Sequence, residues 1–139
     1  MSYMNAVDTN VLIYVHDPRD PVKQAIANSL VHSLSDGVLL WQVACEFIAA
    51  SRKLAPYGFS RDKAWQELNM LQALWATKLP RWAVLQRAET LQNRYNLSIW
   101  DAMIVAACLE GGVAYLYSKD FGAYSQIESL TLINPFKTP

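Results

Sequence analysis

The apolar residues of this chain follow two different spacings. Runs of consecutive apolar, β-branched and aromatic residues are typical of buried strands, whereas apolar residues three or four positions apart are typical of amphipathic helices. The first spacing predicts strands over residues 3–7, 38–41, 78–80, 113–117 and 130–133. The second predicts helices over residues 11–15, 22–34, 43–54, 61–76, 81–95 and 98–109. Strands and helices therefore alternate along the sequence.

This alternation predicts an α/β fold, because parallel strands need helical crossovers and those helices cover both faces of the sheet. We expect a three-layer α/β/α sandwich with a central, mostly parallel sheet of four to five strands. Residues 102–109 are almost wholly apolar, so this helix should be buried on nearly every side. The 139 residues suit one domain spanning 1–139, with a core that needs neither disulfides nor a structural metal.

Two acids bracket the segment formed by this helix and the strand after it. Ser98 and Asp101 have the Ser-x-x-Asp spacing of a helix start, Gly111 and Gly112 end the helix, and Asp120 follows the strand. Asp101 could serve only as a partner of the helix cap, and Asp120 only as the start of an Asx turn. A role of Asp101 and Asp120 in a functional site is favoured if other acids converge on the same place.

Two further acids meet that condition. Asp8 directly follows the first predicted strand, and Glu46 lies just over one helical turn after the second. In open parallel sheets, ligands bind outside the carboxyl ends of the strands. Glu46 also has mostly small or apolar helical neighbours, which is unusual for a surface glutamate. We therefore expect four acids at one edge of the sheet, namely Asp8, Glu46, Asp101 and Asp120.

Four clustered carboxylates predict a metal site. Carboxylates without matching Lys or Arg repel one another, and hard divalent cations with oxygen ligands relieve that repulsion. Mg²⁺ or Mn²⁺ is the expected cofactor, and the expected chemistry is attack of metal-activated water on a phosphodiester. His16 and His32 are expected to be solvated rather than to act as ligands.

Composition leaves the substrate open but predicts a partner. Lys plus Arg (12) balances Asp plus Glu (12), so no overall charge attracts nucleic acid. The basic groups at 52–53 and 61–63 and those at Arg81, Arg87 and Arg94 are expected to be solvated, with phosphate contacts as the alternative. The chain is 53% hydrophobic, so its surface should include apolar patches for a partner. Not all five tryptophans should fit the core, which makes them candidates for that surface: Trp41, Trp65, Trp75, Trp82 and Trp100.

The cysteines and the start of the chain indicate a compartment. Cys45 and Cys108 lie in apolar helical patterns without metal-ligand spacing, so both are expected to be small buried side chains in a reducing environment, and zinc is not expected. Residues 1–14 lack the basic start of a signal peptide, and no apolar run approaches the roughly 18 residues of a membrane span. We expect a cytoplasmic protein that does not enter a membrane.

At this point four segments resemble those of the PIN-domain nucleases. They are VDTNVLI at residues 7–13, CEF at 45–47, LSIWDAMIVAA at 97–107 and YSKDF at 117–121. The first and third are quite specific when they occur together, and the resemblance covers essentially the whole chain. The single short domain is also similar to the VapC-type toxins of toxin–antitoxin pairs.

The resemblance implies a central parallel sheet between helices, metal-dependent endoribonuclease activity on RNA, homodimerisation and a cognate antitoxin that occludes the site. It also implies that four acids are the catalytic and metal-holding residues: Asp8, Glu46, Asp101 and Asp120. Thr9 or Asn10 would support the first of them, and Ser118 stands where the family usually has Thr or Ser.

Other classes of protein fit the sequence less well. A phosphatase of the haloacid-dehalogenase type needs a second Asp two residues after its nucleophile, where Asn10 stands. A response-regulator receiver needs two adjacent acids, and Asp8 is followed by Thr9. A non-catalytic interaction module would not need four clustered acids. Within the resembling family, a housekeeping RNA-processing nuclease is the alternative to a toxin.

Overall fold

The described part of a computed structural model, residues 3–122 and 124–137, contains one six-stranded sheet and six α-helices. The strands are β1 (Asn5–Val7), β2 (Gly37–Leu40), β3 (Ala76–Lys78), β4 (Tyr115–Tyr117), β5 (Gln126–Ile127) and β6 (Leu130–Ile133). The helices are α1 (Thr9–Val15), α2 (Pro21–Ser33), α3 (Trp41–Ala50), α4 (Arg61–Leu74), α5 (Trp82–Arg94) and α6 (Ile99–Glu110), with a 3₁₀ helix (Ser51–Tyr57) after α3. These elements confirm the predicted α/β fold.

The order of the strands places β1 at the centre of the sheet. The order is β3-β2-β1-β4-β6-β5, and only the pairing of β5 with β6 is antiparallel. From β1 the chain proceeds outward to β2 and β3 on one side, and then returns to β4 on the other. The direction of winding therefore reverses between β1 and β4, where Val7 lies opposite Tyr117. In a parallel sheet this reversal opens a crevice beyond the carboxyl ends of the strands.

Helices cover the central strands on both faces. Every residue of β2 is buried, as expected for a strand with helices on each side. Helix α6 packs along α5 and against strands of the sheet, and it buries Ala102, Ile104, Val105, Ala106 and Cys108. The prediction of a helix enclosed on nearly every side is therefore confirmed.

Several predicted element boundaries were wrong. Trp41 begins α3 instead of ending a strand, and the helix predicted over 43–54 divides into α3 and the 3₁₀ helix, which ends at Gly58 with a φ of 93°. The helix predicted over 61–76 ends at Leu74, because Trp75 takes an extended conformation and is buried. Its indole lies where a Cβ at Gly37 would be, so a glycine is required there. As a result β3 begins two residues before the predicted segment 78–80.

The two outer strands are short. β5 was not predicted, because two residues are too few to show an alternating pattern. It reaches β6 through a turn in which Glu128 has a φ of 52°. At the other edge, β3 pairs only with β2 and is followed by the exposed residues Leu79 and Pro80.

Three side chains lie in other surroundings than predicted. Cys45 is exposed, because α3 buries Val43 and Phe47 and directs Cys45 to the other side, whereas Cys108 is buried as expected. His16 is half-buried, since its ring stacks on Phe59 with 4.1 Å between centroids.

Arg87 is also not a freely solvated cation, because it forms ion pairs with Glu110 at 3.7 Å and Glu128 at 3.5 Å. His32 is exposed as predicted. Among the helices of the described residues, none is long and apolar enough to cross a membrane.

Candidate active site

Asp8 is the most buried acid at the crevice between β1 and β4. It follows β1 and caps α1, where its Oδ1 accepts a hydrogen bond from the Thr9 N–H at 2.8 Å. Its Oδ2 accepts one from the hydroxyl of Ser118, which follows β4, also at 2.8 Å. Because strand pairing brings the ends of β1 and β4 together, two residues 110 positions apart in sequence share one hydrogen bond.

Asn10 holds Asp120 beside this pair. The Asn10 side-chain NH₂ donates to Asp120 Oδ2 at 3.0 Å, and Asn10 Oδ1 accepts from the backbone N–H of Lys119 at 3.2 Å. The backbone N–H of Asp120 in turn donates to Ser118 Oγ at 3.1 Å. The Asp120 side chain is therefore held by α1, while its backbone N–H is held by Ser118 in its own turn, and the side-chain contact does not support the Asx-turn interpretation.

Glu46 joins the same network from α3. Its Oε2 accepts a hydrogen bond from the Thr9 hydroxyl at 2.9 Å, and its Oε1 accepts one from Gln42 Nε2 at 2.8 Å. Gln42 Nε2 also lies 3.3 Å from the backbone carbonyl oxygen of Trp100, at the start of α6. One amide group thus connects Glu46 with the turn of helix that carries Asp101.

Asp101 takes part in the helix start through its backbone. Ser98 caps α6, and its Oγ accepts a hydrogen bond from the Asp101 N–H at 3.1 Å, so the predicted helix start is confirmed. The Asp101 carboxylate is half-buried, and its pKa is raised, first by burial and then by the nearby charges of Asp120 and Glu46. The cap and a functional carboxylate are therefore compatible in this residue.

The site is electrostatically unfavourable for its own acids. The pKa of Asp8 is raised from 3.8 to about 6, chiefly by burial and to a smaller extent by the charges of Asp120 and Glu46, while the hydrogen bonds from Ser118 and Thr9 oppose this rise. Within the described residues, none of the four acids forms an ion pair with a basic side chain. Their hydrogen bonds come instead from neutral donors.

This donor set fits a hard divalent cation in chemistry and in charge. Carboxylate oxygens are the ligands that Mg²⁺ and Mn²⁺ prefer, and a cation would offset both the burial of these charges and their mutual repulsion, which together raise the pKa values of Asp8 and Asp101. The distances between the side chains fit less well. Among residues 3–122 and 124–137, no three His, Cys, Asp or Glu side chains are placed so that they could hold one ion as they stand. The acids share one neighbourhood, but side-chain rotation is needed before several of them reach one ion.

Two residues of the network were missed by the sequence prediction. Gln42 precedes Glu46 by four positions, a helical spacing that puts two side chains on one face, so its contact with Glu46 was open to prediction. Lys119 gave no such signal, because its partner is the hydroxyl of Tyr14, which lies 2.9 Å from Lys119 Nζ and on a different element.

The mostly parallel sheet with acids at its switch point defines a PIN-like protein, and comparison with known proteins agrees. The sequence profile of the PIN domain matches residues 6–127, so the chain belongs to the PIN-domain family. No curated protein sequence matches the chain significantly.

Several solved structures have the same fold. A toxin–antitoxin complex from Klebsiella pneumoniae contains a chain with a TM-score of 0.70 and 16% identity, covering 96% of this chain and 99% of that one. VapC20 from Mycobacterium tuberculosis, a sarcin–ricin loop cleaving toxin, has a TM-score of 0.68 and 16% identity, and the match covers 91% of this chain and 98% of that one. A chain of VapBC-1 from nontypeable Haemophilus influenzae has a TM-score of 0.64 and 16% identity, and the match covers 96% of this chain and 99% of that one. At these identities the likeness concerns the fold.

The raised pKa of Asp8 predicts a pH-dependent loss of stability that Asp8→Asn removes. Between pH 3.8 and about 6 the unfolded chain has released this proton while the folded chain still binds it, so folded wild type loses stability as the pH rises. In chelator, the free energy of unfolding of Asp8→Asn, relative to that of wild type, should therefore rise by up to about 3 kcal/mol across this window. Urea unfolding of both proteins from pH 4 to pH 7 measures the difference. A difference that stays constant over this range would contradict the prediction.

Ser98→Ala and Asp101→Asn should separate the cap from the carboxylate cluster. Ser98→Ala removes the cap acceptor and should cost about 1 kcal/mol while leaving the response to metal intact. Asp101→Asn keeps the capping N–H and relieves repulsion, so in chelator it should be no less stable than wild type. With millimolar Mn²⁺, wild type should melt several degrees higher, and Asp101→Asn should show a smaller shift. A destabilised Asp101→Asn with an undiminished shift would mean that the residue is only a cap partner.

Proposed function

We propose that this chain is a metal-dependent endoribonuclease and the toxin of a toxin–antitoxin pair. The observation that carries the proposal is the network of neutral donors that holds the carboxylates of Asp8, Glu46 and Asp120 at the switch point of a PIN domain, with the Asp101 carboxylate close enough to feel the charges of Asp120 and Glu46. PIN-domain membership favours hydrolysis of phosphodiester bonds. The toxin role is supported by the likeness, over 91% or more of this chain, to a chain of a toxin–antitoxin complex and to the toxin VapC20.

Mg²⁺ or Mn²⁺ would be held by the four acids: Asp8, Glu46, Asp101 and Asp120. When bound, such an ion activates a water molecule for attack on the phosphodiester and stabilises the leaving oxygen. The Asp8 carboxylate, with a pKa of about 6, is mostly ionised at neutral pH and is therefore available as a ligand.

The remaining residues of the site orient the acids. Ser118 fixes one oxygen of Asp8, and Asn10 fixes one oxygen of Asp120. Thr9 and Gln42 hold the two oxygens of Glu46. Partners of this kind keep ligands in place without neutralising them. We also propose that residues 1–139 act as one nuclease domain, since a single sheet joins elements from Asn5 to Ile133.

Cleavage of RNA should require divalent metal and the buried acid. Purified wild type should cut structured or single-stranded RNA with Mg²⁺ or Mn²⁺ and should be inactive in excess chelator. Asp8→Asn should abolish cleavage, and Ser118→Ala should reduce it by about 10- to 100-fold, as is typical when the partner of a metal ligand is lost. Asp62→Asn, at an exposed acid on α4, is the matched control and should retain full activity. Activity of wild type in chelator, or of Asp8→Asn in metal, would exclude this mechanism.

An antitoxin partner is the second part of the proposal, and an apolar groove on the outer side of α3 is its proposed binding surface. The groove has a volume of about 640 Å³ and lies between α3, α4 and the end of β3, with Trp41, Cys45, Ile48, Trp65 and Leu79 along it. We name it the α3–α4 groove. Its apolar character favours an apolar segment of a partner protein, and one of the similar structures is a toxin–antitoxin complex.

The tryptophans support a partner surface. Only Trp75 is buried, whereas Trp41, Trp65, Trp82 and Trp100 are 49%, 47%, 77% and 63% exposed. The prediction that not all five enter the core is therefore confirmed. Trp41 and Trp65 share the α3–α4 groove, and Trp82 lies outside it on α5.

Binding of the antitoxin should depend on the groove tryptophans. We expect a small adjacent gene to encode the antitoxin, and its product should co-purify with wild type. Trp65→Ser should weaken this binding by about 2 kcal/mol, or roughly thirtyfold, because tryptophans that become buried in an interface anchor it. Trp82→Ser is the matched control and should bind normally. Light scattering on the free protein tests the homodimer that we also propose. A monomer at high concentration with no co-purifying partner would contradict this part of the proposal, and neighbouring genes for RNA processing would favour a housekeeping nuclease.

A further inference from the structure

A second cleft opens beside the four acids, on the outer side of α1. It has a volume of about 410 Å³ and is bounded by Thr9, Asn10, Tyr14, Lys53, Lys119 and Asp120, among other residues. We name it the Lys53–Lys119 cleft. Thr9 and Asp120 belong both to this cleft and to the hydrogen-bond network of the acids, so the two sites are continuous.

The cleft carries two positive charges without a carboxylate partner. Arg19 also borders it, but its guanidinium makes two hydrogen bonds of 2.9 Å to Asp17, which cancels that charge. Within the described part of the chain, Lys53 and Lys119 form no ion pair. Lys119 is next to Asp120 in sequence and feels its charge, but the two side chains form no ion pair in the described residues.

Tyr14 holds Lys119 in this position. The Lys119 Nζ donates to the Tyr14 hydroxyl at 2.9 Å and lies 5.4 Å from the centre of the ring. The ring itself is fixed by an edge contact with Phe136, with 5.0 Å between centroids. The lysine is therefore oriented by a neutral partner and keeps its charge for a ligand.

We propose that the Lys53–Lys119 cleft binds the backbone of a single RNA strand next to the bond that is cut. Lysines that contact phosphate oxygens position a nucleic acid without reading its sequence. Lys119, beside the acids, takes the phosphate adjacent to the scissile one, and Lys53 takes the phosphate after it. The volume of the cleft is that of a pocket for a small molecule, and a short segment of one strand suits this size better than a double helix does. The inference rests on the proposed function, since the acids mark the place of the scissile phosphate.

Salt-dependent binding tests the inference. The Asp101→Asn protein, which should not cleave, is titrated with a labelled single-stranded RNA of mixed sequence in Mg²⁺ at several salt concentrations. For single strands, each phosphate contact contributes about 0.7 to the slope of log K against log salt. Adding Lys53→Gln or Lys119→Gln should each lower the magnitude of the slope by about 0.7. Lys63→Gln, on α4 and outside the cleft, is the matched control and should leave the slope unchanged.

Tyr14→Phe tests how Lys119 is held. This change keeps an aromatic ring against Phe136 and removes only the hydroxyl that accepts from Lys119. It should weaken RNA binding by less than Lys119→Gln does, and it should have no further effect in the Lys119→Gln background. Additive losses would indicate that Tyr14 acts on RNA independently of Lys119 and would contradict this positioning role.

The outcomes separate this inference from the nuclease proposal. If wild type cleaves RNA but the slopes of the Lys53 and Lys119 variants equal that of the Lys63 variant, the cleft does not bind the backbone and the nuclease proposal stands. Absence of measurable RNA binding also overturns the inference. If the slopes fall as expected but wild type cleaves no RNA with either metal, the strand-binding cleft stands and the nuclease proposal fails.

Discussion

The Asp8 carboxylate is buried at the end of a central strand, where a charged group is costly unless it receives hydrogen bonds. It receives one from the Thr9 N–H, which makes Asp8 the cap of α1, and one from the Ser118 hydroxyl, which connects it to the end of β4. Since β1 and β4 flank the point where the winding of the sheet reverses, this side chain joins the two halves of the fold. The positions of Asn10 and Asp120 follow from the same junction.

In the described part of the chain the hydrogen-bond donors around the acids are all neutral, and this determines the charge of the site. A lysine or arginine in their place would pair with a carboxylate and cancel the charge that attracts a cation. Thr9, Asn10 and Ser118 orient the carboxylates and leave their charge intact. Arg87 forms its ion pairs at a distance from the site, with Glu110 and Glu128. A chain with zero net charge can therefore have a strongly negative centre.

The elements could be predicted because they depend on local signals, and the convergence of the acids could be predicted because a parallel sheet brings the carboxyl ends of its strands to one edge. Apolar runs mark the strands. Asp8 stands where a strand ends, and Asp101 stands where a helix begins. The other features depend on contacts between distant segments. Cys45 follows the same apolar pattern as its buried neighbours, and only the packing of α3 shows which side faces out. Likewise, the contact of Gln42 with the Trp100 carbonyl requires the relative placement of two helices. The role of the four acids as metal ligands remains a prediction.

The two edge strands of the sheet differ in direction, but both are short. β5 is two residues long and antiparallel to its neighbour, and β3 is three residues long and runs into Leu79 and Pro80. Proline has no N–H to donate, and strands this short offer few free backbone groups to another chain. The usual route to fibrous aggregation, in which one sheet extends into the next, is therefore poorly available to this fold. The exposed tryptophans can still promote association with other chains. Because the edge strands are so short, such association would rest on side-chain packing and would not extend the sheet.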